Sequence, residues 1–278
     1  YRTGYTVERI NANTNTVELA NGIVLHPGQA VGDVSEDQLR RIQIRETILS
    51  HIERESQLYK QGIKVLSLFF IDEVAKYRVY DAGSAYHNGV YADMFEEEYK
   101  DIVAHLDADA YDPDYLAYLR RIPAEKTHQG YFSMDKKGKM INSKLNKKEN
   151  ASDDVDAYDL IMKDKERLLD LDPERSPVRF LFSHSALKEG WDNPNVFQIC
   201  TLKNSDNETK KRQEVGRGMR LCVNQNGERQ DADVLGDHVF DTNILTVIAS
   251  ESYDDFAKKL QTEMAEACAD RPIVITAH

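Results

Sequence analysis

The hydrophobic positions of this chain form short continuous runs that alternate with helical repeats. Residues 64–71 are apolar almost throughout and are bounded by Gly62 and Asp72, which predicts a strand buried on both faces of a parallel sheet. Three further runs predict strands in the same way, at residues 178–182, 196–202 and 243–249. Helical patterns separate these runs, so the chain is predicted to have an α/β fold in which helices flank a parallel sheet.

The amino-terminal part has a different organisation. Short β-prone runs, Asn-rich linkers and the turn signal Asn21-Gly22 predict a small β unit in residues 1–34. A capping box that starts at Ser35, followed by apolar residues at helical spacing, predicts a linking helix over residues 35–61.

Residues 81–175 interrupt the alternation, because their periodicity is weak and Tyr and Asp are frequent. A lysine-rich run followed by an acidic run predicts a mobile loop near residues 135–155. We therefore predict one domain formed by residues 62–80 and 176–278, into which residues 81–175 are inserted.

Composition limits the functions open to the chain. The 278 residues include 36 Lys and Arg against 48 Asp and Glu, a net charge of −12 that disfavours coating nucleic acid through overall charge. No apolar stretch approaches the roughly 20 residues of a membrane span, so we expect a cytoplasmic protein without membrane contact. Three cysteines without CxxC spacing argue against a metal site and favour a reducing compartment. The chain has no initiator Met, and we expect it to be a piece of a longer protein.

The helix predicted over residues 208–222 contains the densest candidate chemistry. Three polar side chains at i, i+4 and i+7 share one stripe of this helix: Gln213, Arg217 and Arg220. Apolar side chains form the opposite stripe: Val215, Met219 and Cys222. One face would therefore pack on the sheet while the other presents two guanidinium groups.

Two glycines flank Arg217 within the same predicted helix. Gly216 and Gly218 each cost about 1 kcal/mol relative to Ala, a cost that is understandable where a backbone or a phosphate comes close. The residue types alone are equally consistent with a basic helix face that is simply exposed to solvent and approaches neither a backbone nor a phosphate.

A second candidate segment, residues 183–194, follows a predicted strand and is too short for a crossover helix. It is predicted to be an ordered loop at the carboxyl end of a parallel strand, where open α/β sheets bind ligands. For His184 alone a structural role is favoured, and the segment has no Gly-x-Ser-x-Gly elbow for a hydrolase nucleophile. The chain also contains no phosphate loop of the form Gly-x-x-x-x-Gly-Lys-Ser/Thr.

Four segments in order closely resemble the second motor lobe of the Res (restriction) subunit of bacterial type III restriction-modification systems, which belongs to the superfamily 2 helicases. They are GIKVLSLFFIDEVAKYR from Gly62, GYFSMDKKGK from Gly130, FSHSALKEGWDNPNVFQICTL from Phe182 and QEVGRGMRL from Gln213. The resemblance covers roughly residues 40–268. It implies a RecA-like fold of the P-loop NTPase type.

The resemblance also implies site residues, because such helicases bind ATP between two RecA-like lobes. The segment from Gln213 to Arg220 matches the family pattern QxxGRxxR, which implies that Arg217 and Arg220 are catalytic arginine fingers and that Gln213 binds nucleotide. An arginine finger stabilises charge on the transferring phosphoryl group and contributes about 10³ to 10⁵ in rate.

Residues 183–194 align without a gap on the helicase pattern ATDVAARGLDIP. The match implies that His184 and Ser185 contact the DNA backbone, and that Gly190 and Asp192 lie near the nucleotide. His184 stands where the family usually has Thr, so the sequence departs from the pattern at this DNA-contacting position.

The implied parent protein is an ATP-dependent helicase or translocase and a site-specific deoxyribonuclease. Its partners would be double-stranded DNA and a methyltransferase/specificity (Mod) subunit. The resemblance places the other half of the ATP site and the Mg²⁺ ligands on a first lobe, which this sequence does not contain. We therefore expect this chain alone to be inactive in ATP turnover and DNA cleavage.

Two alternatives stay open. Another superfamily 2 motor, such as a type I restriction translocase or a repair helicase, would share the lobe. A non-catalytic nucleic-acid-binding domain would instead use the lysines between residues 136 and 148 and the basic residues between 210 and 220.

Overall fold

The computed structural model describes residues 6–26, 36–81, 85–135, 138–142, 167–184, 193–203, 208–248, 258–263 and 266. By its internal contacts the chain divides into two compact units, Tyr1–Arg40 and Arg41–His278. The mobile loop predicted near residues 135–155 lies mostly outside the described residues.

The first unit contains a small antiparallel sheet. Its strands, in spatial order, are β1 (Val7–Asn11), β2 (Thr16–Leu19) and β3 (Val24–Leu25). The turn between β2 and β3 contains Asn21, whose side-chain oxygen accepts a hydrogen bond from the Ile23 backbone N–H at 3.2 Å. The small amino-terminal β unit predicted from the sequence is therefore present.

The helix α1 (Glu36–Leu58) precedes the main sheet and continues as one 3₁₀ turn to Gln61. Gly62 follows with φ of 69°, and its N–H donates to the Tyr59 carbonyl at 3.0 Å. Glycine adopts this left-handed conformation without steric cost, so the helix ends there.

The second unit is built from strands and helices that alternate along the chain. Its strands are β4 (Leu66–Ile71), β5 (Arg78–Tyr80), β6 (Tyr86–Asn88), β7 (His128–Tyr131), β8 (Ser133–Met134), β9 (Met140–Ile141), β10 (Phe180–His184), β11 (Val196–Thr201) and β12 (Thr246–Ile248). Its other helices are α2 (Val90–His105), α3 (Pro113–Arg121), α4 (Ala124–Thr127), α5 (Glu208–Gly216), α6 (Ala232–Leu235) and α7 (Val239–Thr242).

Five of these strands form a parallel sheet in the order β12-β11-β4-β10-β7. All six residues of the central strand β4 are buried, as its continuous apolar run predicts. Side chains from α1, α2 and α3 cover one face of the sheet, where Phe69 and Phe182 stack with ring centroids 4.6 Å apart. A second apolar cluster containing Leu68, Leu181 and Ile199 covers the other face. The fold is thus α/β, a parallel sheet with flanking helices that is consistent with a RecA-like fold.

Residues 81–175, expected as an insertion, contribute directly to this architecture. Strand β7 forms the edge of the parallel sheet and pairs with β10, with His128 opposite Phe180. Helices α2 and α3 bury Phe95 and Leu119 in the main core. No helix in the described part of the chain is long and apolar enough to cross a membrane.

Candidate functional site

The parallel strands end at a common edge, because neighbouring strands run in the same direction. His184, the last residue of β10, lies opposite Ile71, the last residue of β4, and Asp72 follows at once. Lys203 lies two residues beyond β11 on the other side of β4. Open α/β sheets bind their ligands at this carboxyl edge.

The ring of His184 is oriented by the strand next to it. Its Nε2 donates a hydrogen bond to the backbone carbonyl of Asp72 at 2.7 Å. The Asp72 carboxylate in turn accepts from the Lys76 ammonium at 2.7 Å. The Nε2–H group of His184 is therefore engaged in a hydrogen bond within the protein. Three further predicted site residues lie outside the described residues: Ser185, Gly190 and Asp192.

The helix predicted over residues 208–222 is shorter than the sequence suggests. Helix α5 ends at Gly216, and the next residues form a turn in which the Gly218 N–H donates to the Val215 carbonyl at 3.0 Å. The predicted opposition of two stripes is therefore wrong, because Arg217 and Arg220 lie beyond the helix. Met219, expected on the apolar stripe, is exposed.

The two glycines of this segment have different surroundings. A Cβ at Gly218 would lie 2.5 Å from Leu245 Cδ1 and 3.2 Å from Ile199 Cδ1, so the backbone approaches β11 closely there. A Cβ at Gly216 would meet nothing within 4 Å. Close approach by the chain itself thus accounts for Gly218 but not for Gly216.

A buried ion pair fixes α5 against the carboxyl edge. Lys203 Nζ lies 2.5 Å from Glu214 Oε1, and both side chains are less than a tenth exposed. The same ammonium lies 5.4 Å from the centroid of the Phe70 ring. The sequence analysis did not predict this ion pair. Two features of the sequence could have indicated it: Glu214 is the only acidic residue within a basic run, and Lys203 comes just after a buried strand.

The Lys203–Glu214 ion pair holds the arginine segment, residues 217–220, directly beside the sheet. Gln213 is exposed on α5, Arg217 is half-buried in the turn, and Arg220 is exposed with its Nη1 donating to the Met219 carbonyl at 3.1 Å. Guanidinium groups so placed suit a phosphate ligand through paired N–H donors.

The described residues offer no comparable site for a metal. Among them, no group of three or more His, Cys, Asp or Glu side chains could hold a metal ion.

Comparison with known proteins gives relatives but no family model that matches the chain. The chain is 39% identical over 220 residues to the Res subunit of the type III restriction-modification enzyme EcoP15I from Escherichia coli, covering 77% of this chain and 21% of that protein. It is 41% identical over 216 residues to the EcoPI Res subunit of Escherichia phage P1, covering 76% and 20%. It is 33% identical over 242 residues to the StyLTI Res subunit of Salmonella typhimurium, covering 78% and 22%.

The chain thus spans about a fifth of the length of the curated relatives it matches. Along 76–78% of its own length, its homologues are Res subunits of type III restriction-modification enzymes.

Proposed function

We propose that this chain is the second motor lobe of a type III restriction enzyme Res subunit. In the longer protein it would couple ATP hydrolysis to movement along double-stranded DNA, which leads to endonucleolytic cleavage together with a Mod subunit. Identity of 33–41% to three Res subunits supports this assignment over other superfamily 2 motors.

In this proposal ATP binds between the lobe and a first RecA-like lobe that carries the phosphate loop and the Mg²⁺ ligands. Arg217 and Arg220 donate N–H groups to the γ-phosphate and stabilise the charge that develops during its transfer. Gln213, Gly190 and Asp192 contact the nucleotide. At the end of β10, His184 and Ser185 contact the DNA backbone, with the His184 ring oriented by Asp72.

The observation that best supports this role is the anchoring of the arginine segment. Lys203 and Glu214 join the end of β11 to α5 through a buried ion pair, and Arg217 follows Glu214 by three residues. A group that stabilises a transition state must be held in place before the reaction, because reorientation during the reaction costs free energy.

The test replaces Arg217 in the intact parent protein. Arg217→Ala should lower DNA-stimulated ATP turnover by at least about 10³-fold, the lower range for an arginine finger, while ATP binding stays close to that of the wild type. Turnover is measured by phosphate release, and binding by a fluorescent ATP analogue.

Arg212→Ala is the matched control. Arg212 lies on α5, five residues before Arg217, but its guanidinium pairs with Glu263 at the surface, so its loss should leave turnover unchanged. Equal turnover in Arg217→Ala and Arg212→Ala would contradict the arginine-finger role. The 278-residue chain by itself should hydrolyse no ATP, and measurable turnover by the purified chain would contradict the two-lobe site.

A further inference from the structure

Two hairpins lie at the carboxyl edge of the sheet and share a row of aromatic and cationic side chains, which we call the ladder: Tyr77, Arg78, Tyr80, Tyr86 and Lys139. The first hairpin, β5 and β6, follows β4, and the second, β8 and β9, follows β7. The Met140 backbone N–H donates to the Tyr80 hydroxyl at 2.8 Å, which ties the hairpins together. The ladder is therefore built on the edge that also contains His184 and Asp72.

The side chains alternate between rings and cations. The Arg78 guanidinium lies 4.1 Å from the centroid of the Tyr86 ring and 5.7 Å from that of Tyr77. Tyr86 meets Tyr80 edge to face at 6.1 Å, and Lys139 Nζ lies 5.3 Å from the Tyr80 ring. These residues share one face of the first hairpin, because Arg78, Tyr80 and Tyr86 occupy alternate positions of paired strands.

One end of the ladder is rigid and the other is open. Tyr77 is 2% exposed and its hydroxyl bonds to His128 Nδ1 at 3.0 Å, so it belongs to the core. Tyr86 is 56% exposed. A half-exposed ring held between neighbours presents an aromatic surface to solvent with little freedom left to lose on binding.

Arg78 has no acidic partner in the part of the chain that the structure describes. Within the described residues its guanidinium forms neither a hydrogen bond nor an ion pair, although the chain carries 48 acidic residues. The nearby carboxylate of Asp81 instead lies 3.8 Å from His87 Nε2. Arg78 therefore keeps its N–H edge for an anion while its plane is fixed against Tyr86.

We propose that this ladder binds a single-stranded nucleic acid segment, with an unpaired base stacked on Tyr86 and the adjoining phosphate bound by Arg78. A ring beside a fixed cation is the arrangement by which proteins bind single strands without reading sequence. The choice of nucleic acid rests on the proposed role in a DNA motor, and the choice of a single strand rests on the exposed ring beside a fixed cation. This contact is additional to the double-stranded DNA along which the motor is proposed to move and is independent of the nucleotide site.

The experiment measures binding of a short fluorescein-labelled oligothymidine to the 278-residue chain by fluorescence anisotropy, without ATP. Tyr86→Ala should weaken binding about tenfold, as expected for the loss of one base–aromatic stack, while Tyr86→Phe keeps the ring and the affinity. Arg78→Ala should lower the slope of log affinity against log salt by about 0.7, the contribution of one phosphate on a single strand.

Arg120→Ala is the matched control for charge. Arg120 is an exposed arginine of α3 without an ion pair or a stacked ring among the described residues, so its loss should change neither affinity nor slope. An oligonucleotide of the same length with abasic positions isolates the stacking. It should bind the wild type about tenfold more weakly, and should not distinguish the wild type from Tyr86→Ala.

Three results would overturn the proposal: no binding by the wild type, equal affinity of wild type and Tyr86→Ala for oligothymidine, or equal wild-type affinity for the abasic strand. The last result would identify a general phosphate surface, which a phosphopeptide could occupy equally well. Urea unfolding midpoints equal to that of the wild type show that the variants are folded. Since no ATP is present, failure here leaves the Arg217 experiment unaffected.

Discussion

The two edges of the parallel sheet use charged residues in opposite ways. At the amino edge Glu55 and Arg179 are fully buried, and Arg179 Nη1 donates to Glu55 Oε2 at 2.6 Å. At the carboxyl edge Arg78 stacks on aromatic rings and has no ion pair among the described residues. The amino edge satisfies its charges inside the protein, while the carboxyl edge carries an arginine held only by rings.

The amino edge is a continuous polar network within the core. Tyr115 donates to the Glu55 carboxylate at 3.0 Å, and Arg179 Nη2 donates to the Tyr99 hydroxyl. His51 Nδ1 lies 2.8 Å from the Ser67 hydroxyl at the start of β4. The network therefore joins α1 and α2 to the first residues of the sheet.

Electrostatics in this network follow from burial and pairing. Burial alone would raise the pKa of Glu55, but Arg179 and His51 outweigh it and bring this pKa to about 2. Burial lowers the pKa of His51, so its ring is neutral at pH 7. A paired buried charge such as Glu55 is costly to disrupt, because the remaining partner cannot return to water.

We expect the largest loss of stability from a substitution at the amino edge of the sheet. Glu55→Gln keeps the shape of the side chain but leaves Arg179 buried without a counter-charge, which should lower the free energy of unfolding by about 3–5 kcal/mol. Urea denaturation measures the change. Glu53→Gln, at an exposed position of the same helix, should stay within about 0.5 kcal/mol of the wild type. Equal effects in the two variants would show that the buried pair has no special structural role.

We expect a smaller effect on stability from the two glycines at and just after the end of α5, Gly216 and Gly218. Gly218→Ala forces Leu245 to move, so we expect a loss of about 1–2 kcal/mol in unfolding free energy. Gly216→Ala has open space around its Cβ and should be neutral or slightly stabilising. The urea midpoints of the two variants are compared directly. A reversed order would contradict the close approach at Gly218.

The smallest effect is a gradual dependence of stability on pH. The Glu55 pKa falls from an ordinary 4.5 to about 2, so its stabilisation is complete above about pH 5 and is lost as the pH falls toward 2. The lowered pKa of His51 acts in the same direction below pH 6.5, since the unfolded chain takes up a proton that the folded ring does not. Urea unfolding from pH 8 to pH 4 should therefore show decreasing stability. Below pH 5 the decrease should be shallower in Glu55→Gln, and an identical profile would contradict the assignment.

The central strands were predictable because burial on both faces requires a continuous apolar run. Strands β4, β10 and β11 lie within or beside the predicted runs. Strand β7 was missed because His128 to Tyr131 contains no such run, and its pairing depends on the neighbouring β10. Helix α2 buries tyrosines at helical spacing, Tyr91 and Tyr99 among them, within a segment whose periodicity looked weak.

The candidate site was predictable as a set of residues but not as geometry. The pattern from Gln213 to Arg220 is visible in the sequence, yet its helix ends at Gly216, and the turn that follows packs Gly218 against Leu245, a residue distant along the chain. Likewise, the bond from His184 to Asp72 depends on which strands are neighbours, which no local pattern reveals.

The central claim is that this chain acts on nucleotide through Arg217, and one measurement tests it most directly. DNA-stimulated ATP turnover is measured for Arg217→Lys in the intact protein, in a preparation whose urea midpoint equals that of the wild type. Lysine keeps the charge but not the planar pair of N–H donors, so turnover should fall at least about a hundredfold. Wild-type turnover in this variant would contradict the account.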